Sequence, residues 1–332
     1  MKLTQKKIAE LLGCSVATVS LALSHSERIS PQTRKKVLDL AELGQYRPDL
    51  QARSLSTGRS KTIGLIVGSL RSPFHGLLAT NVQACLRDRG YMGITIPAEI
   101  YGRGSDAVEA LLSHQVDGIL SVTLSDEEAR RVRDAGIPLV VYGSVQGPGV
   151  FLDERAGACL ATEHLLGLGR RRLVYLGHRG PGDARFEGFR DGLASVGLAV
   201  HPSSGVAVGD ASLAASGAAA MGELLSAGAA IDGVVCRNDA LAIGAMRALA
   251  EAGRSVPGDV AVVGFDDLEI CASLPVSLTS VRVDVPRIAE DLVAALMDLL
   301  QEGPQGVAEF PAPRVSTPVL MVRESTVGRS PR

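Results

Sequence analysis

From Thr62 onward the sequence alternates short apolar runs with longer amphipathic stretches, and this alternation limits the fold more than any other feature. The apolar runs at 63–67, 93–96, 118–122 and 139–142, then at 173–176, 233–236 and 260–264, suit strands buried on both faces. Helical patterns lie between them at 77–89, 126–135, 155–166, 185–195 and 240–250. Such an order implies α/β architecture, an open parallel sheet with helices on both faces and ligands at the carboxyl ends of strands. About 270 residues exceed the usual size of one such sheet, so two lobes are expected.

The first 45 residues follow another plan, three short helices. Thr4 is placed to cap a helix that ends at Gly13, and Ser15 caps a second after a turn of only Gly13, Cys14 and Ser15. Ser30 followed by Pro31 starts a third that ends near Gly44, since proline at the first helical position gives up no needed donor. Two helices joined by so short a turn, with a third in support, form a helix-turn-helix. Residues 46–61 are polar, and the six from Leu50 to Leu55 make at most two helical turns, too short to persist alone in water.

Charge divides the chain at the same place. Residues 1–61 hold 11 Lys and Arg against 5 Asp and Glu, a balance of +6, and the remainder holds 23 against 31, a balance of −8. All six lysines, Lys2, Lys6, Lys7, Lys35, Lys36 and Lys61, fall in the first segment. A small basic module on a larger acidic one points to a polyanionic partner for the first.

Several function classes find no support. No GxGxxG follows the first strand, and GxxxxGK[ST], HExxH and GxSxG are absent, so the chain is not expected to be an enzyme. The six histidines lack ligand spacing, and five scattered cysteines without a CxxC pair read as small hydrophobes in a reducing compartment. Neither a metal nor a cofactor is implied. With no apolar run near membrane-spanning length and no signal peptide, a cytoplasmic protein without membrane contact is expected.

The stretch from Thr4 to Ser24, TQKKIAELLGCSVATVSLALS, resembles the DNA-binding headpiece of the LacI/GalR family of bacterial transcription regulators. The similarity continues through Ile29 to Arg34, Tyr46-Arg47-Pro48-Asp49 and Ala52 to Leu55, then Ser72-Pro73-Phe74 and Arg185-Phe186-Glu187-Gly188-Phe189. It extends to Asn238-Asp239, Gly264-Phe265-Asp266-Asp267 and the closing Val322-Arg323-Glu324-Ser325-Thr326.

This resemblance implies a headpiece over 1–45, a hinge linker and hinge helix over 46–61, and an effector-binding and dimerisation domain over 62–332. That domain is similar to periplasmic sugar-binding proteins, with an N-lobe of 62–158 and 287–318 and a C-lobe of 159–286 and 319–332. Val16, Ala17 and Leu21 would face base edges in the major groove of a pseudo-palindromic operator, where apolar side chains meet thymine methyls but make no bidentate hydrogen bonds. Relatives often carry Arg where this chain has Leu21. Thr18, Ser20, Ser30, Thr33 and Tyr46 match positions that meet phosphates, with the capping Thr4 and Ser15 also on the DNA side. Paired hinge helices would enter the minor groove through Ala52 and Leu55, Leu55 wedging between base pairs.

In the cleft between the lobes, Ser72, Phe74, His75, Ser121, Arg185, Asn238 and Asp266 are implied to hold the effector, a carbohydrate or derivative. Ala211, Gly143 and Val283 depart from the usual aromatic, Asp and Gln, which suggests roomier, less polar walls. No leucine heptads follow Thr326, so a homodimer is expected rather than a tetramer. The rival reading is a sugar-binding protein with no DNA role.

Overall fold

The computed structural model describes residues 3–23, 28–46, 59–102, 104–143, 149–178, 182–200, 205–208, 213–302 and 314–328. They form two compact units, Met1–Ser60 and Lys61–Arg332. The hinge helix expected over residues 50–55, with Ala52 and Leu55, lies outside the described residues, as does Ala211.

The first unit holds α1 (Gln5–Leu12), α2 (Val16–Leu23) and α3 (Pro31–Leu43). Each start is fixed by a side-chain oxygen accepting from a free backbone N–H: Thr4 Oγ1 from Lys7, Ser15 Oγ from Thr18 (3.0 Å) and Ser30 Oγ from Thr33 (3.1 Å). Gly13 ends α1 at a φ of 65°, a left-handed value that a residue with a Cβ adopts only under strain. Ile8, Ala9, Val19, Ala22, Val37 and Ala41 close a small core.

The second unit begins with β1 (Thr62–Val67), α4 (Pro73–Asp88), β2 (Met92–Pro97), α5 (Ala98–Tyr101), α6 (Gly104–Ser113) and β3 (Gly118–Ser121). Next come α7 (Asp126–Asp134), β4 (Leu139–Tyr142), β5 (Gly149–Leu152), α8 (Glu154–Gly167), β6 (Leu173–Gly177), α9 (Ala184–Ala194), β7 (Gly205–Ala207) and α10 (Ala214–Ser226). The chain then forms β8 (Gly233–Cys236), α11 (Asp239–Glu251), β9 (Ala261–Asp266), α12 (Ile270–Ser273) and β10 (Thr279–Arg282). Last are α13 (Val285–Glu302), β11 (Arg314–Ser316), β12 (Val319–Met321) and α14 (Glu324–Val327).

These strands make two six-stranded sheets, ordered β11-β5-β4-β3-β1-β2 and β12-β10-β9-β8-β6-β7. The first is wholly parallel, and in the second only β12 runs antiparallel, against β10. One continuous core joins the two sheets, from Ile63 and Leu65 in β1 to Tyr175 in β6 and Val263 in β9, and α13 fills it with Ile288, Leu292 and Leu296. The opposite face of each sheet has a core of its own.

Strand order reverses between β1 and β3 in the first sheet and between β6 and β8 in the second. At such a switch point the connections leave in opposite directions and open a crevice beyond the strand ends. Both crevices open into one cleft, lined by Gly68 and Val122 beyond strands of the first sheet and by His178 and Arg237 beyond strands of the second. No helix among the described residues is long and apolar enough to cross a membrane.

Candidate effector cleft and nucleic-acid interface

In the first unit the second helix separates cleanly by face. Val19 and Ala22 are buried; Val16, Ala17 and Ser20 are exposed, and Leu21 is half-buried beside them. Val16 leaves 46% of its surface in solvent, high for a branched apolar side chain. Four neighbouring positions at helical spacing thus form one stripe without a core partner for its outermost members. Ser15, Thr4 and Ser30 are exposed at helix starts, whereas Thr18, Thr33 and Tyr46 are half-buried. The hydroxyls pair locally, Ser15 with Thr18 and Ser30 with Thr33 at 2.9 Å. Tyr46 packs on the small core, and its backbone N–H donates to Ala41.

In the second unit a cleft of about 320 Å³ opens at the carboxyl ends of both sheets. Six of the seven expected residues line it: Ser72, Phe74 and His75 at the start of α4, Arg185 on α9, Asn238 capping α11, and Asp266 ending β9. Ser121 does not. It ends β3 fully buried, and its Oγ accepts from the backbone N–H of Thr123 and Leu124, so its side chain is used to hold the turn. Gly143 and Val283 are likewise absent from the cleft wall, Val283 being packed in the core.

Sequence reasoning missed Gly68, Ser69, Val122, Tyr142, Glu154, His178 and Arg237. Their common signal is position, since each lies at or just beyond a strand end or opens the next helix.

Arg185 organises the floor. Its Nη2 donates to Glu154 Oε1 at 2.7 Å, its Nη1 donates to the carbonyl of Arg237 and lies 3.7 Å from Asp266 Oδ1, and its guanidinium stacks 3.9 Å from the Phe265 ring centroid. Burial opposes the charge on Glu154, but the Arg185 guanidinium outweighs it and holds the carboxyl below the usual range. Asp266 stands differently: burial pushes its carboxyl up to about 8, Arg185 only partly offsetting this.

The second cation, Arg237, is tied to Asp183, which also caps α9 by accepting from the Phe186 N–H. His75 Nδ1 meets the carbonyl of Ser69 at 3.1 Å, and burial lowers its pKa, which favours the neutral ring. Phe74 lies edge-on to His75 and 6.1 Å from the Tyr142 ring, an aromatic wall on the first-sheet side. The Asn238 side chain accepts from the Leu241 N–H.

The Asp266 carboxyl is held by backbone strain as well. Asp266 and Asp267 both have positive φ, 108° and 55°. Asp267 is gripped by Arg282 (2.7 Å) and Arg323 (2.6 Å), and Asp239 accepts from the Leu268 N–H. The motifs around Asp266 and Arg323 therefore meet in space to fix one turn at the cleft.

Among the described residues no cluster of His, Cys, Asp and Glu is arranged to hold a metal ion. The floor offers charge-paired donors and acceptors beside an aromatic wall, which suits recognition of a polar organic molecule.

Comparison with known proteins agrees with both units. Residues 4–49 match the family described as bacterial regulatory proteins, lacI family, and residues 162–326 match a periplasmic binding protein-like domain. The HTH-type transcriptional regulator GalR of Escherichia coli (strain K12) is 32% identical over 308 residues, 89% of each chain. A crystal structure of the lac repressor dimer bound to operator and the anti-inducer ONPF superposes with a TM-score of 0.86 at 26% identity, covering 98% of this chain and 99% of that one. A complex of the transcriptional regulator CelR with cellobiose gives a TM-score of 0.70 at 27% identity over 98% of this chain and 100% of that one. The chain belongs to the LacI family of bacterial regulatory proteins and is a DNA-binding transcription regulator.

Proposed function

We propose that this regulator is a repressor that binds a pseudo-palindromic operator as a homodimer and is controlled by a carbohydrate-like effector in its cleft. The working division is a headpiece over 1–45, a linker over 46–61 and an effector domain over 62–332. The observation that carries the reading is the presence, in one chain, of an exposed second helix of a basic three-helix unit and a cleft lined from two sheets by paired polar groups. The relatives add that the lac repressor dimer was solved on its operator and CelR with cellobiose.

In this reading Val16, Ala17 and Leu21 meet base edges, and Thr4, Ser15, Thr18, Ser20, Ser30, Thr33 and Tyr46 lie along the phosphates. Ala52 and Leu55 act from paired hinge helices in the minor groove. Ser72, Phe74, His75, Arg185, Asn238 and Asp266 hold the effector, and the lobes set the spacing at which two headpieces can bind. The protein works in the cytoplasm without catalysing a reaction.

The test is a gel shift and footprint with DNA flanking its own gene, repeated across a panel of sugars and sugar derivatives. A protected palindrome whose occupancy changes with one of the sugars is expected. No palindrome under any condition refutes the DNA reading. Arg185→Ala and Asp266→Ala, each expected to abolish the sugar response, refute the cleft assignment if both leave it intact.

A further inference from the structure

Three polar atoms at the cleft floor have no hydrogen-bond partner among the described residues: the Tyr142 hydroxyl, Arg185 Nε and Asp266 Oδ1. Each is buried, and they come from both sides of the cleft, Tyr142 ending β4 of the first sheet and Asp266 ending β9 of the second. An unpaired buried polar group costs on the order of 1–3 kcal/mol, so three converging on one cleft mark a surface that a ligand completes.

The chemistry of that ligand follows from what the atoms require. Burial pushes the Tyr142 phenol up, so it stays a protonated donor. Arg185 Nε–H only donates, while Asp266 Oδ1 accepts when the carboxyl is ionised and accepts or donates when it is protonated, the form that burial favours. A hydroxyl group both accepts and donates, and two adjacent hydroxyls serve all three atoms. A carboxylate or phosphate meets only the donors and is repelled by Glu154, which Arg185 holds in its charged form.

Arg185 is not a spare cation for such an anion. Glu154 holds one end of its guanidinium, Asp266 and the Arg237 carbonyl face the other, and Phe265 covers its plane. Arg237 is neutralised by Asp183.

We propose that Tyr142 is a specificity-determining contact for the effector, and that this corner takes an uncharged vicinal diol because Glu154 cancels the charge of Arg185. The proposal rests on the effector-cleft reading above and narrows its ligand class. Tyr142 then joins the two sides of the cleft through one ligand hydroxyl.

The experiment is calorimetric titration of the full chain with D-galactose, D-glucose and cellobiose, each beside its uronic acid or phosphate ester. Neutral sugars are expected to bind the wild type at least about tenfold more tightly than their anionic counterparts. Tyr142→Phe is expected to weaken the binding sugar about tenfold, the worth of one hydrogen bond. In the free protein the same variant should melt at or above the wild-type temperature, because it removes an unpaired buried hydroxyl. Glu154→Gln should narrow the preference for the neutral sugar at least tenfold.

Unchanged sugar affinity in Tyr142→Phe, or a fall of several degrees in its melting temperature, overturns the Tyr142 assignment alone. Equal wild-type affinity for an anionic member overturns the neutral-diol corner. If no member of either class binds the wild type, the carbohydrate reading fails and takes this one with it.

Discussion

The exposed face of α2 and the floor of the cleft solve the same problem, holding polar groups ready for a partner, in opposite ways. In the headpiece, Ser15 and Thr18, like Ser30 and Thr33, bond to one another and to backbone N–H groups, with water close by. In the cleft, Tyr142, Arg185 and Asp266 keep unsatisfied atoms out of water. A surface that must fit a long polyanion loses little by being wet and locally satisfied, since its affinity comes from charge and shape. A pocket that must choose among small molecules gains selectivity from groups that only the right ligand satisfies.

Salt is the sharpest way to break this contrast. The +6 headpiece segment, doubled in a dimer, would displace many counterions from an operator. Raising monovalent salt from about 50 to about 200 mM should weaken operator binding by about a thousandfold or more, measured by fluorescence anisotropy. The same change should leave the affinity of a bound neutral sugar within about twofold, because a neutral ligand releases no counterions. Parallel salt dependence at both sites would mean that the cleft, too, recognises charge.

A smaller effect separates the sites by pH. Asp266 titrates near 8 in the folded chain because of burial, against an ordinary 3.8, with Asp239 and Glu154 pushing the same way and Arg185 and Arg237 opposing. The folded state therefore holds a proton that the unfolded chain releases, and stability from this group falls as pH rises from about 4 through about 8. Asp266→Asn cannot titrate. Its stability relative to wild type should rise with pH across that window by at most about 1.4 kcal/mol per unit, read from denaturant melts. Burial also lifts Asp239, to about 6, so the slope left in the variant at lower pH includes that group. A pH-independent difference would show that Asp266 is ionised throughout.

The contrast also governs what the sequence made legible. Headpiece signals are local: Thr4, Ser15 and the Ser30-Pro31 pair cap helices within three residues, so spacing alone locates them. The central strands were equally clear, since a strand covered on both faces must read as an apolar run. β5, β7, β10, β11 and β12, of three or four residues each, were not read from the sequence. Thr279 and Ser280 in β10, and Arg314 and Ser316 in β11, break the apolar run that marked β4 and β8 at four residues. In the cleft, Arg185 and Asp266 were reached through family motifs. Glu154 was not, because its role exists only once α8 and α9 bring it to Arg185. Ser121 shows the converse error: a polar residue at a strand end can turn inward and serve the backbone.

The smallest effect tests whether the headpiece hydroxyls are structural, DNA-facing or both. Ser30 Oγ accepts from Thr33 N–H and pairs with Thr33 Oγ1, yet Ser30 is exposed at the start of α3. Ser30→Ala removes the cap and should cost the headpiece about 1 kcal/mol, measured by thermal melting. Ser30→Asp restores a capping oxygen and favours the helix N-terminus electrostatically, but places a negative charge where phosphates are expected. If Ser30 only caps, the Asp variant should recover both stability and operator affinity. If Ser30 also lies against DNA, stability should return while affinity falls below that of the Ala variant, with the largest gap at low salt. The headpiece then differs from the cleft in one further respect, because a single oxygen there serves the fold before binding and the partner after it.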